Sequence, residues 1–314
     1  MTVRLILSLL VLLACGAAAV ADESAFAPGK RVLLDAHNCY PYNGMWADRV
    51  DRALATGTPV GIEMDLAWFE DPSGAAKPRI IVAHGKPFKG DEPGLRDYFF
   101  EKVRPLAEKA LQEGNKGEWP LVTLNINDLR GDDPAFFQAV WDLAAEYEPW
   151  LCTAVKQAPP DGPAPLDVKP VLVLTGGGKR ETECFYNNVP VGGKLRLFGS
   201  SSDGRGDNFR RWVNYAWKSV EPEGQGKAGE WTAGDAARLK TLVDAAHQGG
   251  CWIRFYTING HSPVATVTSG WSPGYNFGGL EAASLRWKAA VEAGVDFIAT
   301  DQYEDFAAFR KGGK

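Results

Sequence analysis

The chain has 314 residues, of which 45% are hydrophobic and 23% charged, the proportions of an ordinary globular protein. Its formal net charge of −5 argues against the basic surface that nucleic-acid-binding proteins present. A chain of this length can form one barrel-type domain or two smaller domains.

The first 21 residues have the three-part layout of a secretory signal peptide. A short basic start at Arg4 precedes an apolar run, and Ala-Val-Ala at 19–21 forms the small-residue cleavage site. The run is too short for a membrane anchor. "LLAC", ending at Cys15, is an alternative signal, the lipobox of a bacterial lipoprotein. Both alternatives predict export to the periplasm or the extracellular space, with a mature domain over 22–314.

Four cysteines follow this leader: Cys39, Cys152, Cys184 and Cys251. In an exported protein they could form up to two disulfides, whose pairing the spacing does not determine. No Cys-x-x-Cys spacing occurs, so neither a zinc knuckle nor a thioredoxin-like redox motif is expected.

Strand-like apolar runs alternate with helical patterns along the chain. The predicted strands cover 31–38, 60–68, 79–85, 120–128, 169–177, 194–200, 251–260 and 295–306. The predicted helices cover 45–57, 94–113, 133–147, 235–250 and 279–294, the third with Asp133 as its N-cap and Pro134 in its first turn. Segment 209–218 fits either period. Repeated strand–helix units without an internal linker predict an α/β fold, a single (β/α)8 TIM-type barrel.

In such a barrel, the chemical groups lie at the carboxyl ends of the strands and in the loops that follow. Six polar residues fall at those positions: His37, Glu63, Asp65, His84, Asn125 and Asp301. His247 lies in a predicted outer helix instead, near its carboxyl end, where a histidine is electrostatically favourable. We therefore interpret His247 as non-catalytic.

The stretch "GIEMDLAW", residues 61–68, places two carboxylates on one face of a buried strand. Glu63 and Asp65 would lie about 6.5 Å apart along it. Such a pair suits a hard divalent cation, Ca²⁺ or Mg²⁺, bound through oxygen atoms. The alternative is an ion pair with a barrel cation such as Arg254. A glycosidase pair is less natural, because its two carboxylates flank the scissile bond from opposite sides.

Two histidines flank this acidic strand in the sequence. His37 ends the first predicted strand, and His84 follows the strand after the acidic one. Because histidine exchanges a proton near neutral pH, two of them facing one cleft can act as general base and general acid.

The blocks "AHN…GIEMDLAW…IIVAHG", "WIRFYTIN" and "AGVDFIATDQYEDF" together resemble the phospholipase C-like phosphodiesterase superfamily, which includes the glycerophosphodiester phosphodiesterases. That family opens with a histidine, Glu-x-Asp and a second histidine. Its seventh strand typically ends in Trp-Thr-x-Asn, and its last contains Gly-Val-Asp-x-Ile-x-Thr-Asp. The matching blocks occur here in the family order and span most of the mature chain.

The resemblance implies that His37 and His84 are the acid–base pair and that Glu63 and Asp65 hold one divalent cation. The third family ligand is usually an acid with a lysine two residues later. Here Asn125 and Asn127 occupy those places, and Asp128 is an alternative ligand. An asparagine carbonyl can still bind Ca²⁺ or Mg²⁺, although it brings no negative charge.

The predicted substrate-binding residues are Asn38, Arg254, Trp68 and Trp271. Glycerophosphodiesterases commonly carry arginine at the position of Asn38, so a basic group for the phosphate must come from elsewhere. Arg254 is the preferred candidate, ahead of Lys179 and Arg180 in the loop after the predicted strand over 169–177. The two tryptophans would wall the cleft.

The sequence therefore predicts a metal-assisted phosphoric diester hydrolase, or a cyclising lyase, acting on a glycerophosphodiester- or phospholipid-type substrate. The expected partners are a small-molecule or lipid phosphodiester and, transiently, a membrane surface, without nucleic acid. Two alternatives stay open: an exported glycoside hydrolase on the same barrel, and a catalytically silent binding protein on a degenerate phosphodiesterase barrel.

Overall fold

The computed structural model describes residues 26–42, 44–159, 162–269 and 272–312. The predicted leader over 1–21 and the predicted substrate residue Trp271 lie outside the described residues. Within the described chain, no helix is long and apolar enough to cross a membrane.

A closed ring of eight parallel strands forms the centre of the described chain, in the order β1-β2-β4-β7-β9-β10-β11-β12, with β12 pairing back on β1. The strands are β1 (Leu33–Ala36), β2 (Val60–Phe69), β3 (Arg79–Val82), β4 (Val122–Arg130), β5 (Thr153–Val155), β6 (Leu166–Asp167), β7 (Val171–Thr175), β8 (Lys194–Leu195), β9 (Phe198–Ser200), β10 (Arg210–Ala216), β11 (Trp252–Tyr256) and β12 (Phe297–Thr300). Strands β5, β6 and β8 form a separate small antiparallel sheet. The ring confirms the predicted TIM-type barrel.

Helices connect the strands around the ring. They are α1 (Arg49–Ala55), α2 (Glu101–Glu113), α3 (Pro134–Glu146), α4 (Lys179–Thr182), α5 (Ala233–Gln248), α6 (Pro263–Ser269), α7 (Leu280–Ala293) and α8 (Tyr303–Gly312). A π-helical turn, Arg96–Phe100, leads into α2. The predicted N-cap of α3 is confirmed, because the Asp133 side chain accepts a hydrogen bond from the Ala135 amide.

Three predicted strands differ from the observed ones. The prediction over 79–85 becomes β3, which ends at Val82 and runs antiparallel to β2 outside the ring. The prediction over 194–200 divides into β8 and β9, and only β9 joins the barrel. Strand β12 ends at Thr300, after which the chain turns into α8. The ambiguous segment 209–218 contains β10, a barrel strand.

Alternation along the strands separates two kinds of interior. Ile62, Met64 and Leu66 of β2 belong to the large apolar core shared with the helices. Glu63 and Asp65, between them, are also buried but lie on the opposite face, inside the barrel. A second apolar cluster packs near the amino ends of the strands and includes Leu33, Leu172, Trp212, Trp252 and Phe297.

The four cysteines among the described residues are free thiols, and only Cys184 is partly exposed. Buried thiols in apolar surroundings behave as small hydrophobic side chains. The structure therefore uses neither of the two disulfides that four cysteines would allow.

Candidate active site

The pairing of β1 with β12 brings the first histidine of the sequence to the last acid of the barrel. Ala36 lies opposite Thr300 in this register, so the residues that follow, His37 and Asp301, emerge side by side. His37 Nδ1 lies 3.4 Å from Asp301 Oδ2, and both side chains are buried. The sequence placed both residues at strand ends, and the structure brings them together as a histidine–carboxylate pair.

Asp301 is held by donors from three other elements. It accepts hydrogen bonds from Arg49 Nη2 at 2.7 Å, Asn38 Nδ2 at 2.9 Å and Asn259 Nδ2 at 2.6 Å. Burial alone would raise the pKa of Asp301, but His37, Arg49 and the Asn38 amide together hold that pKa well below its ordinary value. Asp301 is therefore a carboxylate throughout the physiological range.

The same contacts act in the opposite direction on His37. Burial lowers the pKa of its imidazole, but the negative charges of Asp301 and Glu63 outweigh burial and raise the pKa above the ordinary 6.5. A histidine in this environment is a stronger base than an exposed histidine.

Glu63 lies beneath this pair on β2 and is 1% exposed. Its Oε2 accepts the backbone N–H of Asn38 at 2.5 Å. Burial raises the pKa of Glu63 to about 7; His37 counteracts the shift and Asp65 adds to it. The carboxyl group is thus poised between its neutral and charged forms near neutral pH.

Asp65 meets the second predicted catalytic histidine. His84 Nε2 lies 3.9 Å from Asp65 Oδ2, and Arg130 Nη2 lies 3.6 Å from the same oxygen. Burial raises the pKa of Asp65, with Arg130 and then His84 opposing the shift. The His84 side chain is 53% exposed, so its ring is open to solvent. Asp65 therefore has an arginine beside it, as the ion-pair alternative anticipated, although the partner is Arg130.

A β-bulge on β4 arranges the two asparagines beside these acids. Glu63 pairs with Asn125, but Asp65 pairs with Asp128, so Asn127 is the extra residue. Asn127 Nδ2 lies 3.4 Å from Asp65 Oδ1. The Asn125 carbonyl oxygen is buried and has no hydrogen-bond partner among the described residues.

A buried ion pair crosses the barrel interior below the mouth. Arg254 Nε donates to Asp35 Oδ2, and Arg254 Nη1 donates to Asn214 Oδ1 at 2.9 Å. Asn125 Nδ2 also reaches Asp35 Oδ2, at 3.4 Å. A side chain on Gly61 would collide with Asp35, which explains the glycine at the start of "GIEMDLAW". Arg254, predicted to bind phosphate, is thus anchored to Asp35, while its buried Nη2 has no partner among the described residues.

Several residues singled out in the sequence do not join this site. The Trp68 ring stacks at 5.6 Å on Phe136 of α3, because alternation along β2 turns Trp68 toward the helices. Lys179 and Arg180 are exposed on α4. His247 Nε2 lies 2.9 Å from Asp296 Oδ2, immediately before β12 and so at the amino end of the barrel.

Sequence reasoning passed over four residues that the structure brings to the site region: Asp35, Tyr40, Arg49 and His261. A lone charge in the apolar "LLDA" was a usable signal for Asp35, because the same reasoning singled out Glu63. Arg49 is 1% exposed on α1, where helical arginines usually face solvent, so no local pattern marks it. His261 follows β11, and burial lowers the pKa of its imidazole.

The donor set at the mouth fits a hard divalent cation. Glu63, Asp65 and Asn125 supply only oxygen atoms, the ligands that Ca²⁺ and Mg²⁺ prefer. The Asn125 carbonyl oxygen is a buried polar atom without a hydrogen-bond partner among the described residues, which costs free energy. A bound cation would give this oxygen a partner. Among the described residues, no three histidine, cysteine, aspartate or glutamate side chains form such a group by themselves, so the set depends on the asparagine.

Comparison with known proteins bears on the fold. No family model matches the chain, and no curated protein matches it. The structure is similar to phosphatidylinositol-specific phospholipase C from Listeria monocytogenes, with a TM-score of 0.50, 11% identity, and coverage of 90% of this chain and 94% of that chain.

Two solved structures from Parabacteroides distasonis are also similar. One, a glycerophosphoryl diester phosphodiesterase, has 13% identity, a TM-score of 0.42, and coverage of 90% of this chain and 87% of that chain. The other, a glycerophosphodiester phosphodiesterase, has 9% identity, a TM-score of 0.45, and coverage of 90% and 98%. At these sequence identities, structural similarity is evidence about the fold alone. That evidence comes from the phospholipase C structure, which has the highest TM-score of the three. This likeness agrees with the predicted TIM-type barrel fold.

Proposed function

We propose that this protein is a metal-assisted phosphodiesterase that uses His37 and His84 for acid–base catalysis. The observation that carries the proposal is the buried His37–Asp301 pair beside Glu63. Asp65, which lies on β2 like Glu63, is in turn 3.9 Å from His84. Two proton-transfer groups and two carboxylates then meet at the barrel mouth, the place where barrel enzymes hold their chemistry.

In this proposal His37 is the general base. Asp301 holds the Nδ1 side of the ring, which leaves Nε2 to accept a proton from the attacking group. The raised pKa of His37 suits this role, because a stronger base removes a proton from water or from a substrate hydroxyl more readily. Asp301 also stabilises the imidazolium that forms.

His84 is the general acid. Its exposed ring can reach a leaving group at the mouth, and its Nε2 lies 3.9 Å from Asp65 Oδ2. The proton passes from His84 to the leaving oxygen as the phosphorus–oxygen bond breaks, and solvent restores the proton. With water as nucleophile the products are a phosphomonoester and an alcohol. With a neighbouring substrate hydroxyl the product is a cyclic phosphodiester.

The negative charge of the phosphate needs a positive environment. The cation, held by Glu63, Asp65 and Asn125, would supply charge stabilisation at the phosphoryl oxygens. Arg254, 1% exposed and fixed by Asp35, contributes a buried positive charge from below the same acids. Its Nη2 is the group we assign to a phosphate oxygen.

We propose a glycerophosphodiester- or phospholipid-type substrate, met after export, with transient contact to a membrane surface when the substrate is a lipid. This part of the proposal rests on the leader pattern over 1–21 and on the motif resemblance.

The test is a screen of phosphodiester substrates with added Ca²⁺ or Mg²⁺, with phosphorus NMR of the products. We expect turnover of a glycerophosphodiester or phospholipid, lost in His37→Ala and His84→Ala and after chelation. Full activity in either variant would overturn the acid–base assignment. Ligand binding without any turnover would favour the silent binding protein, and cleavage of aryl glycosides alone would favour the glycosidase.

A further inference from the structure

Tyr40 lies between the two catalytic histidines of the proposed site. It contacts the ring of His84 and the side chain of Asn38, the residue after His37. Its ring centroid is 5.7 Å from that of His84, in a tilted arrangement. Its hydroxyl donates a hydrogen bond to Asn38 Oδ1, and the residue is 2% exposed. One side chain is therefore packed against one histidine and hydrogen-bonded to the neighbour of the other.

Asn38 links Tyr40 to His37 through Asp301. Its Nδ2 donates to Asp301 Oδ1 at 2.9 Å, and Asp301 Oδ2 in turn holds His37 Nδ1; the same Asn38 Nδ2 lies 2.8 Å from His37 Nδ1. Because the Asp301 carboxylate can only accept hydrogen bonds, the amide must turn its NH2 group toward Asp301 and its oxygen toward Tyr40. The orientation of the amide is thus fixed from both ends.

The backbone of Asn38 supports the same arrangement. Its φ of +58° is left-handed, a conformation that asparagine tolerates better than most residues, and its N–H donates to Glu63 Oε2 at 2.5 Å. The side chain is buried, and protein groups surround both of its polar atoms. These contacts favour a role for Asn38 in orienting His37 over the direct substrate contact that the sequence suggested.

Tyr40 keeps its proton under all physiological conditions. Burial raises the pKa of its phenol well above the ordinary value, and the nearby charges of Glu63, Asp65 and Asp301 raise it further. The hydroxyl is therefore a permanent donor, which is the role that the Asn38 carbonyl oxygen requires.

We propose that Tyr40 is a positioning residue that couples the two histidines: its hydroxyl fixes the Asn38 amide and, through Asp301, the His37 ring, while its ring packs against His84. The effect of Tyr40 on catalysis rests on the proposed function, in which the two histidines transfer protons. The coupling itself is a property of the folded protein and exists without substrate.

Two substitutions separate the two contacts. Tyr40→Phe removes only the hydroxyl, whereas Tyr40→Leu removes the hydroxyl and the aromatic face. Tyr98→Phe is the matched control, since Tyr98 is also a buried tyrosine, 5% exposed, whose hydroxyl lies 3.4 Å from the Trp46 carbonyl. The readout is the nitrogen NMR spectrum of the histidine rings in metal-free protein. The chain has four histidines, so His37→Gln and His84→Gln assign the signals.

We expect Tyr40→Phe to move the His37 signals and leave those of His84 in place, and Tyr40→Leu to move both sets. Tyr98→Phe should move neither. With a substrate that is turned over, Tyr40→Phe should lower kcat by about tenfold to a hundredfold and change KM by less than about twofold, because misplacement of a reacting group affects the chemical step.

Unchanged His37 signals in Tyr40→Phe, in a variant whose circular dichroism and unfolding temperature match the wild type, would overturn the inference. An equal displacement in Tyr98→Phe would overturn it as well, because the effect would then be a general one. If the wild type turns over no phosphodiester, the proposed function fails, and the metal-free NMR comparison still decides whether Tyr40 couples the histidines.

Discussion

Asp301 Oδ2 lies 3.4 Å from His37 Nδ1, although 264 residues separate the two in the chain. Closure of the barrel produces this contact, because β12 pairs with β1 and both residues immediately follow their strands. Arg49 ties the pair to α1: its Nη2 donates to Asp301 Oδ1 and to the His37 carbonyl, each at 2.7 Å. The proposed base is therefore held by the first strand, the last strand and a helix.

Asp301→Asn should lower kcat/KM by about a hundredfold or more, because the base loses its orienting partner. It should also move the pH profile. His37 must be neutral to act, and Asp301 contributes to raising the pKa of His37, so wild-type activity should rise with pH through a limb above 6.5. In the variant this limb should move to lower pH. The measurement is kcat/KM against pH, and an unmoved limb would contradict the assigned role.

The sequence predicted most strands and the polar residues at their ends, because both can be recognised from local periodicity. Glu63 and Asp65 stood out as charges in an apolar strand, and they are buried as expected. Local patterns could not predict which side chains would contact each other in the folded protein. The pairing of Arg254 with Asp35, or of His37 with Asp301, is set by barrel closure and register, which no local window contains.

Two differences between the sequence prediction and the structure, at Trp68 and at β3, have specific physical causes. Trp68 and Asp65 lie three residues apart on β2, so alternation itself sends the tryptophan to the helix side, where it meets Phe136. Strand β3 had the composition of a barrel strand. Its short connection to β2 made an antiparallel hairpin possible, since a parallel neighbour requires a crossover of a dozen or more residues.

The Asp35–Arg254 pair gives a second prediction. Asp35→Asn should destabilise the fold by about 3–5 kcal/mol, because it leaves the Arg254 guanidinium buried at 1% exposure without its counter-charge. The free energy of unfolding in urea measures the loss. Glu304→Gln is the control: its partner Arg52 lies 2.7 Å away at the surface, and the change should cost less than about 1 kcal/mol. Equal losses in the two variants would contradict the prediction.

Asn125 provides a direct test of the cation proposal. Asn125→Asp adds a negative charge to the donor set of Glu63 and Asp65, so the affinity for Ca²⁺ or Mg²⁺ should rise by roughly tenfold. Asn188→Asp adds the same charge at an exposed position and should leave the affinity unchanged. Titration calorimetry on chelator-treated protein measures both. If the two variants bind the cation equally, Asn125 is not a ligand position.

Glu63 makes the stability of the metal-free protein depend on pH. The folded-state pKa of Glu63 is raised from 4.5 to about 7, mainly by burial, so between these values the folded chain holds a proton that the unfolded chain has lost. Its contribution to folding stability therefore falls as pH rises through this window. Glu63→Gln cannot ionise and should exceed the wild type in stability at about pH 8.5, by up to about 3 kcal/mol.

Urea unfolding in chelator at several pH values measures this difference, which should vanish below about pH 4.5. Added cation should reverse the order: it stabilises the wild type by binding to the charged Glu63 of the folded state, and it should do little for Glu63→Gln. A stability gain in Glu63→Gln that stays constant across the pH range would contradict burial of an ionisable carboxyl as its cause. An equal response of both proteins to the cation would remove Glu63 from the ligand set.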